Sequence, residues 1–355
     1  MHPDLDIQYN FPLKNLNSFG IDVRARAYLR ITSNAQLQQA LLDPALALLP
    51  RLLLGGGSNI LLTNHFDGLV LHMASSGIEI VAADPDAADP DTADPDTADP
   101  DTDYVRAAAG EHWHSFVLWT LAHGLKGLEN LALIPGTVGA APIQNIGAYG
   151  VEVKDYLHSV TVFDSASGQT IVMDRAACRL GYRDSIFKHA EGRALVVLDV
   201  TFALPKAWQP QLRYAELAQA LPEMAALTAR DIADAVIAIR RRKLPDPAVI
   251  GNAGSFFKNP LISRKQCALL LEKFPALVHH AQGDGSEKLA AGWLIDQCGW
   301  KGRSLGLAGV YAKQALVLVN NGGASGLDIV TLARAIQADV LARYGVLLEP
   351  EPVFV

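Results

Sequence analysis

The chain has 355 residues, 30 Lys and Arg against 37 Asp and Glu for a net charge of −7, half of its residues apolar and 29 glycines. That length exceeds one compact core and predicts two or three domains, and the composition excludes a disordered or fibrous protein in favour of an α/β enzyme-like globule. Three widely spaced cysteines, Cys178, Cys267 and Cys298, with no CxxC, argue against a disulfide framework or a zinc site and favour a reducing compartment. The first residues have no basic stretch followed by an apolar run, and no segment approaches the length of a membrane span. A soluble, cytoplasmic protein is expected, with no nucleic-acid or membrane partner.

In chain order, 27–31 reads as a strand and Asn34 as the cap of a short helix through Leu42. Residues 52–54 read as a strand that runs into Gly55-Gly56-Gly57-Ser58-Asn59, after which 60–62 again look like strand. Further strands are expected at 69–72, 77–81 and 104–108. The last two bracket the tract 84–103, which holds four Asp-Pro-Asp units and nine aspartates; without it the rest of the chain carries +2. Such a tract cannot bury apolar surface, so it predicts a solvated hairpin loop that has expanded, since long surface insertions cost little. Its aspartates would suit calcium, but the glycines and spacing of a calcium loop are missing. Residues 115–123 read as a helix with Phe116, Leu118 and Leu121 on its buried face, and strands follow at 159–163, 170–173 and 194–204. After Pro205 the pattern turns to amphipathic helices at 229–243, 264–274, 287–298 and 327–344, with a strand at 314–320. A domain boundary is expected near 205–215.

Six segments carry chemistry. The three glycines at 55–57 can turn backbone N–H groups toward an anion, or simply form a turn; they make neither a GxGxxG nor a Walker loop. Residues 127–150, with Pro135, Gly136, Gly139, Ile143, Asn145, Gly147 and Tyr149 among many glycines, suit a wrap around a large flat ligand. Arg183, in Gly181-Tyr-Arg-Asp-Ser-Ile-Phe-Lys188, offers a planar fork for a carboxylate, or an ion pair with Asp184. The run Arg240-Arg241-Arg242-Lys243 offsets a helix dipole, and one of the four could serve a diphosphate. In Gly251-Asn-Ala-Gly-Ser255-Phe-Phe-Lys-Asn259-Pro, the Ser, Lys and Asn are groups suited to an anionic polar substrate, while Lys258 has no assignable role. Near the end, the apolar residues around Glu351 suggest a docked tail. His112 and His114 lack a nearby third ligand and read as packing or helix-start histidines.

These motifs in this order resemble the UDP-N-acetylenolpyruvoylglucosamine reductase family. The likeness runs from about Asn17-Ser18-Phe19-Gly20 to the C-terminus and leaves only the Asp-Pro-Asp tract as foreign. Tyr214, in a Leu-x-Tyr-x-x-Leu setting, resembles the form with an extra substrate-covering loop. The resemblance implies an α+β fold: a vanillyl-alcohol-oxidase-type FAD-binding domain of two α/β subdomains at 1–210, a C-terminal α+β substrate-binding domain at 211–345, and a tail at 346–355 docking at the active site. It implies bound FAD held by Gly55, Gly56, Gly57, Ser58, Asn59, Pro135, Gly136, Gly139, Ile143, Asn145 and Gly147, with NADPH as hydride donor. Hydride would pass from flavin N5 to the enolpyruvyl β-carbon, Arg183 and a protonated or proton-sharing Glu351 would polarise the carboxylate, and Ser255 would protonate the α-carbon. Tyr149, Tyr214, Lys243, Asn259 and Gln314 would contact the substrate, and the protein would be a monomer. Two other readings stand beside this one. A hydrolase with Ser255 as nucleophile lacks a G-x-S-x-G elbow, and a flavin-binding module without reductase activity would be expected to have lost Arg183, Ser255 or Glu351.

Overall fold

The computed structural model describes residues 5–81, 101–221 and 227–355; most of the expected loop at 84–103 lies outside them. Its contacts divide the chain into two compact units. The first comprises Met1–Phe11, Ala25–Gly56 and Asp67–Arg240, the second Pro12–Arg24, Gly57–Phe66 and Arg241–Val355. The expected boundaries differ from this division in two ways. The first unit continues through most of the helix Ala229–Lys243, because Ile232, Ala233, Val236 and Ile239 of that helix pack into its core. Two early segments join the second unit, where Phe19, Ile21, Leu61 and Leu62 are buried.

Among the described residues the first unit holds two larger sheets and a two-stranded ribbon, Gly147–Ala148 with Val151–Glu152. One has four strands in the order Gln8–Pro12, Arg24–Ile31, Phe66–Met73, Arg51–Leu54, the last two parallel. Arg24–Ile31 alternates exposed Arg with buried Ala and Leu, the period of a strand with one face on the core. Ser33 caps the helix Asn34–Leu42 by accepting the Gln36 N–H, one position before the expected Asn34. The second sheet is five-stranded, ordered Gln169–Asp174, Leu157–Asp164, Leu195–Pro205, Thr102–Ala108, Ile78–Val81. Ile78–Val81 and Thr102–Ala108 pair antiparallel, with Val81 opposite Tyr104, as a hairpin requires. The helix Trp113–Ala122 buries Trp113, Phe116, Val117 and Thr120, whereas Leu118 and Leu121 are only partly buried. Trp113 sets this phase: its ring is fully buried and its Nε1 donates to Leu131 O at 3.0 Å.

In the second unit a four-stranded sheet runs Gly251–Ser255, Val317–Asn320, Ala308–Val310, Ser304–Leu305. A three-stranded sheet runs Leu261–Ser263, Ser286–Leu289, His279–Ala281. The helix expected at 287–298 begins later, at Ala291, and ends at Gln297. Residues 286–289 alternate half-buried and buried and pair on both sides, so they form a central strand. The strand expected from 314 begins at Val317; Gln314 lies in the preceding turn, its Oε1 accepting the Leu316 N–H. The helix Arg264–Lys273 is capped by Ser263, and Gly326–Tyr344 carries a Ser325/Asp328 capping box with Gly345 left-handed at its end.

Candidate active site

In the first unit, the strand Arg51–Leu54 ends in Gly55 and Gly56, and these meet the loop at 135–147. A Cβ on Gly56 would lie 2.9 Å from Gly136 Cα, and one on Gly55 2.5 Å from Thr137 Oγ1. At Gly56 only glycine allows main chain to approach main chain this closely. The 135–147 loop is fixed by its own backbone: Gly136 O accepts from Trp113, and the Val138 and Gly139 N–H groups donate to Glu111 O and Ala109 O. His112 bridges to Thr137, and His114 Nδ1 pairs with the Leu133 N–H. Both histidines thus anchor this loop, in line with a packing role.

Asn145, left-handed at φ 43°, is fully buried. Its Nδ2 donates to Glu152 Oε2 and Gly181 O while its Oδ1 accepts the Lys154 N–H. Asn145 therefore shapes the loop with its side chain. Arg183 is also left-handed, at φ 55°, and its Nη2 donates to Gly147 O at 2.8 Å. Asp184 pairs with His189 at 2.9 Å, which gives the acid a partner other than Arg183. Tyr149, at φ 50°, stands edge-on to Tyr214 with ring centroids 5.1 Å apart. Left-handed backbone in three neighbouring non-glycine residues is costly and concentrates at functional sites.

Arg240 was not separable in sequence from its basic neighbours. In the structure its Nε donates to Leu133 O at 3.2 Å and its guanidinium hydrogen-bonds the Tyr149 side chain. Burial lowers its pKa, an effect that Tyr149 partly opposes. Arg241 and Arg242 are exposed. A helical projection through Ile232, Val236 and Ile239 would have placed Arg240 beside the apolar face and its two followers away from it.

In the second unit, Gly57 is left-handed at φ 59°, so the glycine motif turns between Gly56 and Gly57 and its halves belong to different units. Asn59 Nδ2 donates to Glu351 O at 3.3 Å and Asn59 O accepts from Val353. Ser255 ends the strand Gly251–Ser255 after an irregularity in pairing, with Gly254 left-handed at φ 69°. Among the described residues Ser255 Oγ has no hydrogen-bond partner. The next three residues pair with the tail: Glu351 donates to Phe256 O at 2.8 Å, Phe257 bridges Pro350, and Lys258 donates to Glu349 O. Lys258 Nζ also meets Glu349 Oε1 at 2.5 Å, which gives this lysine a place. Phe256 and Phe257 are buried, Phe256 against Phe19 and Phe354. The tail closes with Val353–Phe354 parallel to Ile60–Leu61. Asn259 Oδ1 accepts the Ala291 N–H that opens a helix, and Lys243 is half-buried.

The structure thus assembles the predicted residues in two groups. Gly55, Gly56, Pro135, Gly136, Gly139, Ile143, Asn145, Gly147, Tyr149, Arg183 and Tyr214 lie in the first unit. Gly57, Ser58, Asn59, Lys243, Ser255, Asn259, Gln314 and Glu351 lie in the second. The close backbone approach of Gly56 to Gly136, with Gly55 against the Thr137 hydroxyl, fits a dinucleotide, whose phosphates need main-chain N–H groups and no bulky side chains. Residues 25–174 match the model of an FAD binding domain. Fold and site together define an FAD-binding enzyme with a separate C-terminal domain. That domain, residues 246–355, matches the C-terminal domain of UDP-N-acetylenolpyruvoylglucosamine reductase. The chain is 55% identical over 348 residues to the UDP-N-acetylenolpyruvoylglucosamine reductase of Paraburkholderia phymatum, covering 97% of this chain and 96% of that one. It is 54% identical to that of Burkholderia orbicola, covering 99% of each. The structure of the corresponding reductase from Thermus caldophilus shares the fold at a TM-score of 0.64 and 22% identity, covering 99% of this chain and 98% of that one. The chain belongs to the UDP-N-acetylenolpyruvoylglucosamine reductase family.

Proposed function

We propose that the protein reduces UDP-N-acetylglucosamine enolpyruvate to UDP-N-acetylmuramate, consuming NADPH, as a cytoplasmic monomer in peptidoglycan precursor synthesis. FAD would be held by Gly55, Gly56 and the 135–147 loop and, once reduced by NADPH, would supply hydride to the β-carbon of the enol ether. Negative charge then develops on the α-carbon and its carboxylate. Arg183 and Glu351 polarise that carboxylate, acting where charge appears in the transition state. Ser255 gives its hydroxyl proton to the α-carbon and regains one from solvent. A serine hydroxyl is a weak acid, so this transfer depends on a strongly basic carbanion held beside it. Tyr149, Tyr214, Lys243, Asn259 and Gln314 hold the sugar and diphosphate. Gln314 is suited to this, because its Oε1 is engaged by the Leu316 N–H while its Nε2 has no partner among the described residues.

The observation that carries the reading is the state of Ser255. Its hydroxyl has no protein partner among the described residues, and the carbonyl of the following residue is tied to the Glu351 N–H. A hydrolase reading would need a base hydrogen-bonded to that hydroxyl. The test is anaerobic: the purified protein should be yellow, bleach with NADPH and recover its colour with the enolpyruvyl sugar nucleotide. Colour that NADPH cannot bleach would favour a binding module, and a colourless protein would count against both.

A further inference from the structure

Apart from these residues, three elements of the second unit bring a thiol, an imidazole and a carboxylate together. Cys267 lies on the helix Arg264–Lys273, His279 opens the strand His279–Ala281, and Glu287 lies in Ser286–Leu289. Their ligating atoms all lie within 4.8 Å of one another. Cys267 and Glu287 are 2% and 6% exposed, and His279 is half-buried. His279 Nδ1 stands 2.9 Å from Glu287 Oε2, and the exposed Arg264 Nε 3.9 Å from Oε1.

The position of Glu287 is the anomaly. It shares a strand face with the fully buried Leu289 and lies opposite the buried Ile262 in the ladder. An apolar side chain belongs there, and a buried carboxylate is costly unless its charge is matched. His279 Nδ1 gives it one hydrogen bond at 2.9 Å, and a solvent-exposed arginine at 3.9 Å matches its charge only weakly. The neighbouring thiol brings no positive charge at all; burial, then the Glu287 charge, push its pKa up.

We propose that Cys267, His279 and Glu287 bind one divalent cation of the borderline-soft class, zinc foremost. Thiolate, imidazole and carboxylate are a zinc donor set, and the half-exposed His279 side leaves a fourth position for water. Zinc–ligand distances of about 2.0–2.3 Å require the three donor atoms to draw together by rotamer adjustment. Binding displaces the thiol proton to solvent and replaces the His279–Glu287 hydrogen bond with two coordinate bonds. The cation neutralises the buried carboxylate and thiolate and fastens the helix to two strands of the sheet.

The test uses the full-length flavoprotein, treated with a chelator and then given cobalt(II) alone, followed by zinc. One cobalt per chain is expected, with thiolate-to-cobalt charge-transfer absorption in the difference spectrum against the metal-free flavoprotein, displaced by zinc. Cys267→Ser should abolish that band, and His279→Ala should weaken binding at least about tenfold, with the flavin spectrum unchanged in both. His279 is partly exposed, so its variant carries the test even if the buried cysteine variant misfolds. Absence of stoichiometric binding, or the same band and affinity in both variants, would overturn the proposal and leave Cys267 beside a hydrogen-bonded His279–Glu287 pair.

Discussion

Replacing Ser255 with alanine isolates the proton-transfer step. The hydroxyl has no hydrogen-bond partner among the described residues and the residue is only partly buried, so the substitution breaks no contact and leaves no orphaned group. Stability should change by no more than about 0.5 kcal/mol. Retention of FAD and the rate of its reduction by NADPH should be nearly those of the parent, since neither involves a proton on the substrate α-carbon. Reoxidation by the enolpyruvyl sugar nucleotide should slow by about 10²–10⁴-fold, the usual contribution of a positioned general acid, which corresponds to about 3–5 kcal/mol of barrier. Stopped-flow absorbance at the flavin band separates the two half-reactions under anaerobic conditions. Equal losses in both would remove Ser255 from the role of acid, and an unchanged reoxidation rate would assign the proton to another group.

Gly56→Ala places a Cβ against Gly136 Cα with main chain on both sides; a loss of about 1–3 kcal/mol and weaker FAD retention are expected, read by melting temperature and flavin release. Deleting residues 85–102 leaves 82–84 and 103 to join strands already paired at Val81 and Tyr104; both half-reactions should survive, and loss of flavin would show that the tract does more than close a hairpin. Tyr156 is pushed up to about 12 by burial, then by the Glu129 and Asp155 charges, from an ordinary value of 10.0. The folded chain therefore keeps a proton that the unfolded chain releases, so this contribution to stability is complete below about pH 10 and is lost as the pH rises toward 12. Denaturant titrations across that window should fall less steeply for Tyr156→Phe, and identical slopes would contradict the assignment.

Much of the scaffold was legible because its signals are local. Alternation gave the strands on either side of the Asp-Pro-Asp tract, and glycine density marked the loop that meets Gly136. What stayed hidden depends on partners distant in sequence. Ser286–Leu289 reads as the start of a helix until its two flanking strands are present. Lys258 had no role until Glu349 returned to it from 91 residues away. Cys267, His279 and Glu287 have no metal-site spacing, so cysteine arithmetic pointed away from a metal; only ladder register and the overlying helix juxtapose them. Asn59 and Asn145 were predicted to hold the cofactor, and their side chains hold protein backbone as well.

The second unit is stitched from three stretches of chain, and this bears on the order of its biosynthesis. Ile60 and Leu61 wait for Val353 and Phe354, a pairing across almost the whole polypeptide. Phe19 likewise waits for Phe256. During translation these early apolar segments emerge long before the strands that cover them, and contacts of such separation form slowly. A nascent chain arrested before the tail would carry an unpaired edge at Ile60–Leu61, the kind of surface that chaperones shield and aggregates recruit. The same tail brings Glu351 to Phe256, so a chain in which this long-range pairing has not formed should also lack the proposed proton-transfer machinery and be unable to turn over.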